Sequence, residues 1–301
     1  MALLSRSRLL AVKIESSYGT SSNPAGTDAV LCRSIDVTPI ESETISRDLI
    51  RSYLGNSDQL LANTRVAITA EIEYAGSGTA ATASKIDALL RSCGMNVQAL
   101  GSAVTGSSQA GSANSITLAA SGPSATDGYY VGHRIEITSG TGNGHSGLIT
   151  AYNGTTKVAT VVASSATFVP GSSSGYSISA GNKYAPVSSS FESSTIKFNN
   201  SGVQHLCTGC RGSFSVSLST DAVPTITFNM TGTYNSPTDT ALSGTYTNQT
   251  TPVLFKQGNT TASAVLDYTS AAIQSISFDM NNDITSRELV GADKSVILTN
   301  R

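Results

Sequence analysis

Residues 43–76 read ETISRDLIRSYLGNSDQLLANTRVAITAEIEYAG, and the fold follows from how this stretch is parsed. Thr64–Tyr74 alternates, with Val66, Ile68, Ala70 and Ile72 on one face and Arg65, Thr69, Glu71 and Glu73 on the other. A period of two marks a strand with one buried and one wet face. Glu43–Ile50 is a polar strand candidate carrying Arg47 and Asp48. Between the two, Arg51–Asn63 is a connection with Gly55, Asn56, Ser57 and Asp58 at its tip and apolar Tyr53, Leu54, Leu60 and Leu61 on its shoulders. A hairpin whose long loop shows apolar side chains beside a polar tip needs cover, from its own domain or from a second molecule.

Working outward, Leu9–Ile14 reads as a short apolar strand, Ser16–Asp28 as a turn-rich link, and Ala29–Thr38 as another strand. After the hairpin, Thr79–Cys93 predicts a helix. Ala80, Ala83, Ile86, Leu89, Leu90 and Cys93 keep three- and four-residue spacing, and Gly94 stands next as a stop. Further on, Ser188–Asn199, Val203–Leu206, Arg211–Ser219 and Val223–Tyr234 form a meander of alternating segments, followed by Ala264–Asp267, Ile273–Met280 and Ser295–Leu298. Ile45–Ile50 (ISRDLI) is echoed by Thr285–Val290 (TSRELV), a weak sign of internal symmetry.

From about Gly101 to Gly181 the composition changes. Only Asp127, Arg134, Glu136 and Lys157 carry charge there, and turn signals separate short strands at Ser115–Ala119, His133–Thr138, Gly147–Tyr152, Lys157–Val162 and Gly175–Ile178. We expect a small β module inserted into a larger β domain, with Gly101–Ala113 and Gly181–Lys183 as linkers. The domains are then 1–100 with 184–301, and 101–183. The fold class is mainly β, a sandwich or barrel with one packed helix, a long protruding hairpin and an inserted β domain.

A chain of 301 residues buries enough surface for a stable core. Charged residues are only 13%, Trp is absent and net charge is −2, so no global basic field draws in nucleic acid. Nothing approaches a membrane-spanning run, and no secretion leader is visible in Met1–Ala11. Cys207-Thr-Gly-Cys210 is one CxxC without a second pair or a histidine cluster, which favours buried or free thiols over zinc, and Cys93 reads as a core thiol. His133, His145 and His205 are scattered, and the carboxylates do not gather as a metal or acid–base site. Gly140–Gly144 is Gly-rich but lacks the lysine and helix of a phosphate loop. We expect no enzyme and no cofactor.

The run LLAVKIESSYGT…AVLCRSIDVTPIESETISRDLIRSYLG…VAITAEIEYAGSGTA…KIDALLRSCGM, followed by SSSFESSTIKFNNSGVQHLCTGCRGSFSVSLSTDAVPTITFNMTGTYNSPTD, resembles the tail tube proteins of long-tailed bacteriophages with non-contractile tails. Ser115–Ser179, with GTGNGHSGLITAYNGTTKVATV, resembles a small β module of phage tail proteins. The resemblance implies a virion protein, made in the host cytoplasm, that forms hexameric rings stacked into a hollow tube through which double-stranded DNA passes without specific binding. It implies self-assembly together with the tape measure, tail terminator and distal tail proteins as partners. It further implies that Arg51–Asn63 reaches an adjoining ring, so that Tyr53, Leu54, Asn56, Asp58, Leu60 and Leu61 are contact candidates. Ala80–Cys93 then packs outside the lumen sheet, and Glu71 and Glu73 are lumen candidates. Arg47/Asp48 and Arg287/Glu288 are candidate inter-subunit ion pairs. The competing reading is a tail or capsid decoration that binds carbohydrate through the insert, where Tyr129, Tyr130, Tyr152, Phe168 and Tyr176 are the aromatics at hand.

Overall fold

The structure, a computed structural model, describes residues 7–47, 49–50, 52, 55, 58–163, 168–254, 264–265, 268–269, 274–288 and 296–300. In chain order its body consists of β1 (Arg8–Ile14), β2 (Cys32–Ser46), β3 (Gln59–Glu73), α1 (Asp87–Ser92), β4 (Met95–Leu100), β5 (Gly181–Pro186), β6 (Ser194–Asn200), β7 (Val203–Ser219), β8 (Thr225–Tyr234), β9 (Ser275–Asp279), β10 (Asp283–Arg287) and β11 (Val296–Asn300). The main sheet runs Ala29–Val30, β1, β6, β7, β8, β3, β2, and β9 also pairs with β7. Only Leu31 separates Ala29–Val30, at one end of that order, from β2 at the other. The two ends must therefore meet, and the sheet curls into a partly closed barrel. Arg8 Nη1 donates to Ile35 O (3.3 Å) across the seam.

The alternation read in the sequence is what fills this barrel. Val66, Ile68, Ala70 and Ile72 of β3 point inward, as do Ile226, Phe228 and Met230 of β8, and Leu89 and Leu90 of α1 plug one side. Each of these side chains larger than alanine, fully buried, contributes about 1.5–3 kcal/mol. Arg65, Ala67, Thr69, Glu71 and Glu73 of β3 and Thr225, Thr227 and Asn229 of β8 alternate with these on the opposite face, so one face is core and the other is wet.

Three expectations about the body need correcting. First, the helix spans Asp87–Ser92, not Thr79–Cys93. Thr82 N donates to Thr79 O, Ser77 Oγ takes the same carbonyl, and Ala81 is left-handed at φ 60°, so a turn forms where the spacing promised helix. The stop is as read, with Gly94 at φ 80°. Second, Ala29–Thr38 and Glu43–Ile50 are not separate strands, because β2 runs continuously from Cys32 to Ser46. Pro39 is tolerated because β2 lies at the end of the sheet order and its register shifts between Thr38 and Glu41. The returning strand begins at Gln59, so Gln59–Asn63 belongs to β3 rather than to the connection.

Third, Val203–Leu206 and Arg211–Ser219 are one strand, β7, with a bulge between Thr208 and Arg211. Gly209 sits at φ 63° within it. The extra residue brings Cys207 and Cys210, three apart, to the same buried face as free thiols. Burial pushes the Cys210 thiol well up, which makes it unreactive. A Cβ on the facing Gly232 would lie 2.5 Å from each sulfur. Gly232→Ala is therefore expected to destabilise the chain by about 1–3 kcal/mol, read as a shift in the denaturant midpoint.

Residues 104–178 have a separate core. A seven-stranded sheet runs Val104–Ser107, Gly175–Ile178, Arg134–Ser139, Ser146–Asn153, Val158–Ala163, Ser115–Thr117, Ala110–Ser112. Ile135, Ile137, Ile149, Phe168 and Tyr176 are buried against it. The stretches read as linkers are ordered strand instead: Val104–Ser107 and Ala110–Ser112 lie in this sheet, and Gly181–Lys183 belongs to β5. Their Gly and Ser content hid them. β4 and β5 form a two-stranded ribbon joining this unit to the body, with Leu100 opposite Gly181 and Met95 opposite Pro186. Gln98 Nε2 and Lys183 Nζ donate to Tyr129 O and Val131 O, both at 2.8 Å, and fix the junction.

His133 is buried at that junction, with no hydrogen-bond partner for Nε2 among the described residues. Burial and then the nearby Lys183 charge pull its pKa below 6.5. Burial does the same to His205. The folded state therefore holds fewer protons than the unfolded state just below pH 6.5, so stability falls as pH drops from about 7 through that value. We expect a declining melting temperature over that window, with a shallower decline in His133→Gln.

Candidate assembly surfaces

The protruding hairpin is built by a mismatch of lengths. β8 pairs with β3 only over Arg65–Glu73, while β2 continues to pair with β3 out to Ser46 and Gln59. The outer part of β2 and β3 therefore extends past the sheet as a two-stranded arm. Arg65 and Glu41 close its root with a two-pronged ion pair, Nε to Oε2 at 2.9 Å and Nη2 to Oε1 at 3.2 Å. This hydrogen bonding lowers the Glu41 carboxyl, and Glu41 is the main cause of the raised Arg65 pKa, with Glu43 and Glu288 adding smaller attractions. At the far end Arg47 N donates to Asp58 O (3.3 Å), and Arg47 Nη1 lies 3.6 Å from Asp58 Oδ2.

The arm carries exposed apolar side chains on both faces. Ile45 opposes Leu60 on one, and the adjacent Leu61 opposes Thr44 on the other. Leu60 is 55% exposed and Leu61 66%, and beyond them Ile50 is fully exposed. A ribbon with apolar side chains on both faces is covered only when it lies between two surfaces. Of the expected contact residues, Asp58, Leu60 and Leu61 are on this arm, while Tyr53, Leu54 and Asn56 lie outside the described residues. Asp48 does too. In the single chain Arg47 is paired with Asp58 of its own hairpin. Arg287 ends β10, followed by Glu288, and Ser286 Oγ reaches Asn63 Oδ1 (3.4 Å) beside the arm.

The second surface is the wet face of the curled sheet. Register places Glu73 beside Thr225, Glu71 beside Thr227 and Thr69 beside Asn229, with Ser217, Ser215 and Ser213 next in line and Ser34 and Asp36 on the other flank. Thr69 Oγ1 donates to Asn229 Oδ1 (3.0 Å). Arg33 Nη1 lies 3.6 Å from Glu71 Oε1, an exposed pair of the kind that contributes ~0–1 kcal/mol. The face is a carpet of hydroxyls with carboxylates at Asp36, Glu71 and Glu73, only partly neutralised by Arg33.

The residues that tie these surfaces to the core had no signal in the sequence. Arg211 donates to Phe191 O (2.7 Å), Glu192 O (3.3 Å) and Ile297 O (2.8 Å), and its guanidinium sits 4.9 Å from the Tyr18 ring centre. Tyr18 Oη accepts from Ile297 N (2.6 Å), so β11 is clamped from both sides. Gln249 pairs with both the N–H and C=O of Leu31 (3.0 and 2.9 Å), acting as a surrogate strand at the seam. In the insert, Tyr130, Tyr152, Phe168 and Tyr176 are core. The three tyrosine hydroxyls are engaged: Tyr130 Oη accepts from Ser124 N, Tyr152 Oη donates to Ser124 O, and Tyr176 Oη accepts from Ala119 N. None of these four is free to stack on a sugar. Burial pushes the Tyr152 hydroxyl up to about 12. Among the described residues no group of three or more His, Cys, Asp or Glu could hold a metal ion, and no helix is long and apolar enough to cross a membrane.

A curled sheet with one wet face, carrying an apolar ribbon beyond its own edge, defines a subunit made to be packed among others. The family model described as phage tail tube protein matches residues 5–297, and the chain belongs to that family. No curated protein matches it. It is thus a structural protein of the phage virion's tail, and its family assembles into a tube.

Proposed function

We propose that this chain polymerises as stacked hexameric rings into the hollow tube of a non-contractile tail, the conduit for DNA ejection into the host. The carrying observation is the arm, with exposed apolar side chains on both faces and extending past the sheet, in a member of this family. The residues 51–63 region then engages an adjoining ring, with Asp58, Leu60 and Leu61 among the contacts and Tyr53, Leu54 and Asn56 as further candidates. Arg47, Asp48, Arg287 and Glu288 sit at or near subunit boundaries and set register more than affinity. The wet face, with Glu71 and Glu73, lines the lumen. A basic lining would hold phosphates with strongly salt-dependent affinity, whereas hydroxyls and carboxylates leave DNA free to slide. Residues 101–183 form an outward decoration on the ribbon. Burial of Tyr130, Tyr152, Phe168 and Tyr176 leaves half-buried Tyr129 alone among the aromatics named for a carbohydrate-binding role. The tape measure, terminator and distal tail proteins complete the partner set. The test is addition of purified chain to isolated tail tips, viewed by negative-stain electron microscopy. Hollow filaments growing from the tips are expected, and persistent bare tips at high protein concentration would overturn the reading.

A further inference from the structure

The ribbon of β4 and β5 is fastened differently on its two faces. On one, Tyr184 packs against the core of the body and donates to Asp87 Oδ1 (2.7 Å). On the other, Gln98 and Lys183, which stand opposite each other, donate to Tyr129 O and Val131 O of the insert. Neighbouring residues of a strand point to opposite faces, so Lys183 and Tyr184 reach different units. Just past this latch the ribbon can bend. Leu100 is buried in the core of the insert, Gly181 stands opposite it and Gly101 follows it. A Cβ on either glycine would meet nothing within 4 Å. Leu100 is thus an anchored pivot with permissive, uncrowded backbone beside it on both strands. The Lys183 stem lies close on the turn it grips: a Cβ on Gly132 would come 2.6 Å from its Cδ. His133 is the next residue, only 6% exposed.

We infer that the insert rocks on Leu100 and that protonation of His133 unlatches it from the ribbon. An imidazolium there is a second cation beside Lys183 in a buried site, an arrangement relieved when the site opens to water. β4 carries no titratable side chain. β5 carries Lys183 and Tyr184, the turn before His133 carries Asp127, Tyr129 and Tyr130, and the flanking strands carry Arg134, Glu136, Tyr152 and Tyr176. Asp127 Oδ1 accepts from Gly154 N (2.7 Å), Arg134 Nη2 donates to Ser146 Oγ (2.9 Å), and Glu136 is exposed. The charge that acts on His133 is that of Lys183. Burial and this charge hold the imidazole below 6.5, so the latched form binds fewer protons than the open one. Latching is complete above about pH 6.5 and weakens as pH falls through that value. Both cores stay folded while the insert swings against the body, which makes the outward unit an acid-sensitive arm rather than a fixed knob.

Hydrogen exchange on the free full chain, at about pH 7.5 and about pH 5 and corrected for the intrinsic rate of exchange, tests the latch independently of tube assembly. Protection of residues 129–133 is expected to fall about tenfold or more at the lower pH, while that of β8 and of Ser146–Asn153 is unchanged. In His133→Gln the loss at 129–133 is expected to disappear. Unchanged protection in the wild type, or the same loss in His133→Gln, overturns the proposal. So does a loss that extends to β8, because the whole chain is then opening. Should His133→Gln fail to fold, Lys183→Met decides. It keeps the stem and removes the opposing charge, so its protection at 129–133 is expected to be nearly independent of pH, and a wild-type pH response there overturns the proposal.

Discussion

Glu15→Ala is expected to lower the melting temperature by roughly 10 °C, from a loss of about 4 kcal/mol at some 2–4 °C per kcal/mol. Glu15 is only 7% exposed and, among the described residues, no cation pairs with it directly; four donors hold its carboxylate. Oε2 accepts from Gly19 N (2.8 Å) and Ser193 Oγ (2.7 Å). Oε1 accepts from Thr195 Oγ1 and Gly209 N, both at 2.8 Å. One carboxylate thus ties the turn after β1 to β6 and to the bulge of β7. Hydrogen bonds to a charged group are each worth about 1.5–3 kcal/mol and do not add fully. Alanine removes all four and strands buried N–H and O–H groups without acceptors. Glu15→Gln keeps the shape but turns an amide NH₂ toward one pair of donors, so at least half the loss is expected to remain. Differential scanning calorimetry of the three proteins checks the order wild type, Gln, Ala. A Glu15→Ala protein melting within about 2 °C of wild type would show that the knot is dispensable.

The second large effect is on assembly rather than stability. Leu60→Asp with Leu61→Asp is expected to leave the melting temperature nearly unchanged, because both side chains are mostly exposed in the single chain and such surface changes stay within about 0.5 kcal/mol each. Addition to tail tips is expected to drop at least a hundredfold. Burying a leucine is worth about 1.5–3 kcal/mol, and each 1.4 kcal/mol is a factor of ten in affinity. The two aspartates also put charge where apolar side chains are to be buried. Counting tube length per tip by electron microscopy, beside calorimetry, separates the two effects. Normal tubes from this variant would remove the arm from the assembly contact, whereas a collapsed melting temperature would place the leucines in the core instead.

How much of this was legible depended on whether the signal was local. Val66, Ile68, Ala70 and Ile72 announce β3, and Ile226, Phe228 and Met230 announce β8, because a half-buried strand writes its faces in period two. The arm was legible as apolar shoulders around a polar tip. Its root was not, since Arg65 and Glu41 meet only through a register that Pro39 and two bulges shift. The helix was overread because alanines at helical spacing fit a turn equally well when Ser and Thr side chains compete for the backbone. At Cys207–Cys210 the alternation breaks, and a bulge inside a strand looks like a strand end. Glu15 and Arg211 gave no local sign. Glu15 bonds to residues up to 194 positions away, beyond the reach of any spacing rule.

The ribbon of β4 and β5 has a consequence for how this chain can vary. Leu100 and Gly181 face each other in register, so the polypeptide leaves the body and returns to it about 5 Å apart. The body's own sheet and core are built without any residue between those two points. The junction is thus a cassette site, where a different folded unit with neighbouring ends can be exchanged for residues 101–180 without asking the body to rearrange. Cargo displayed there would ride on every copy of the chain.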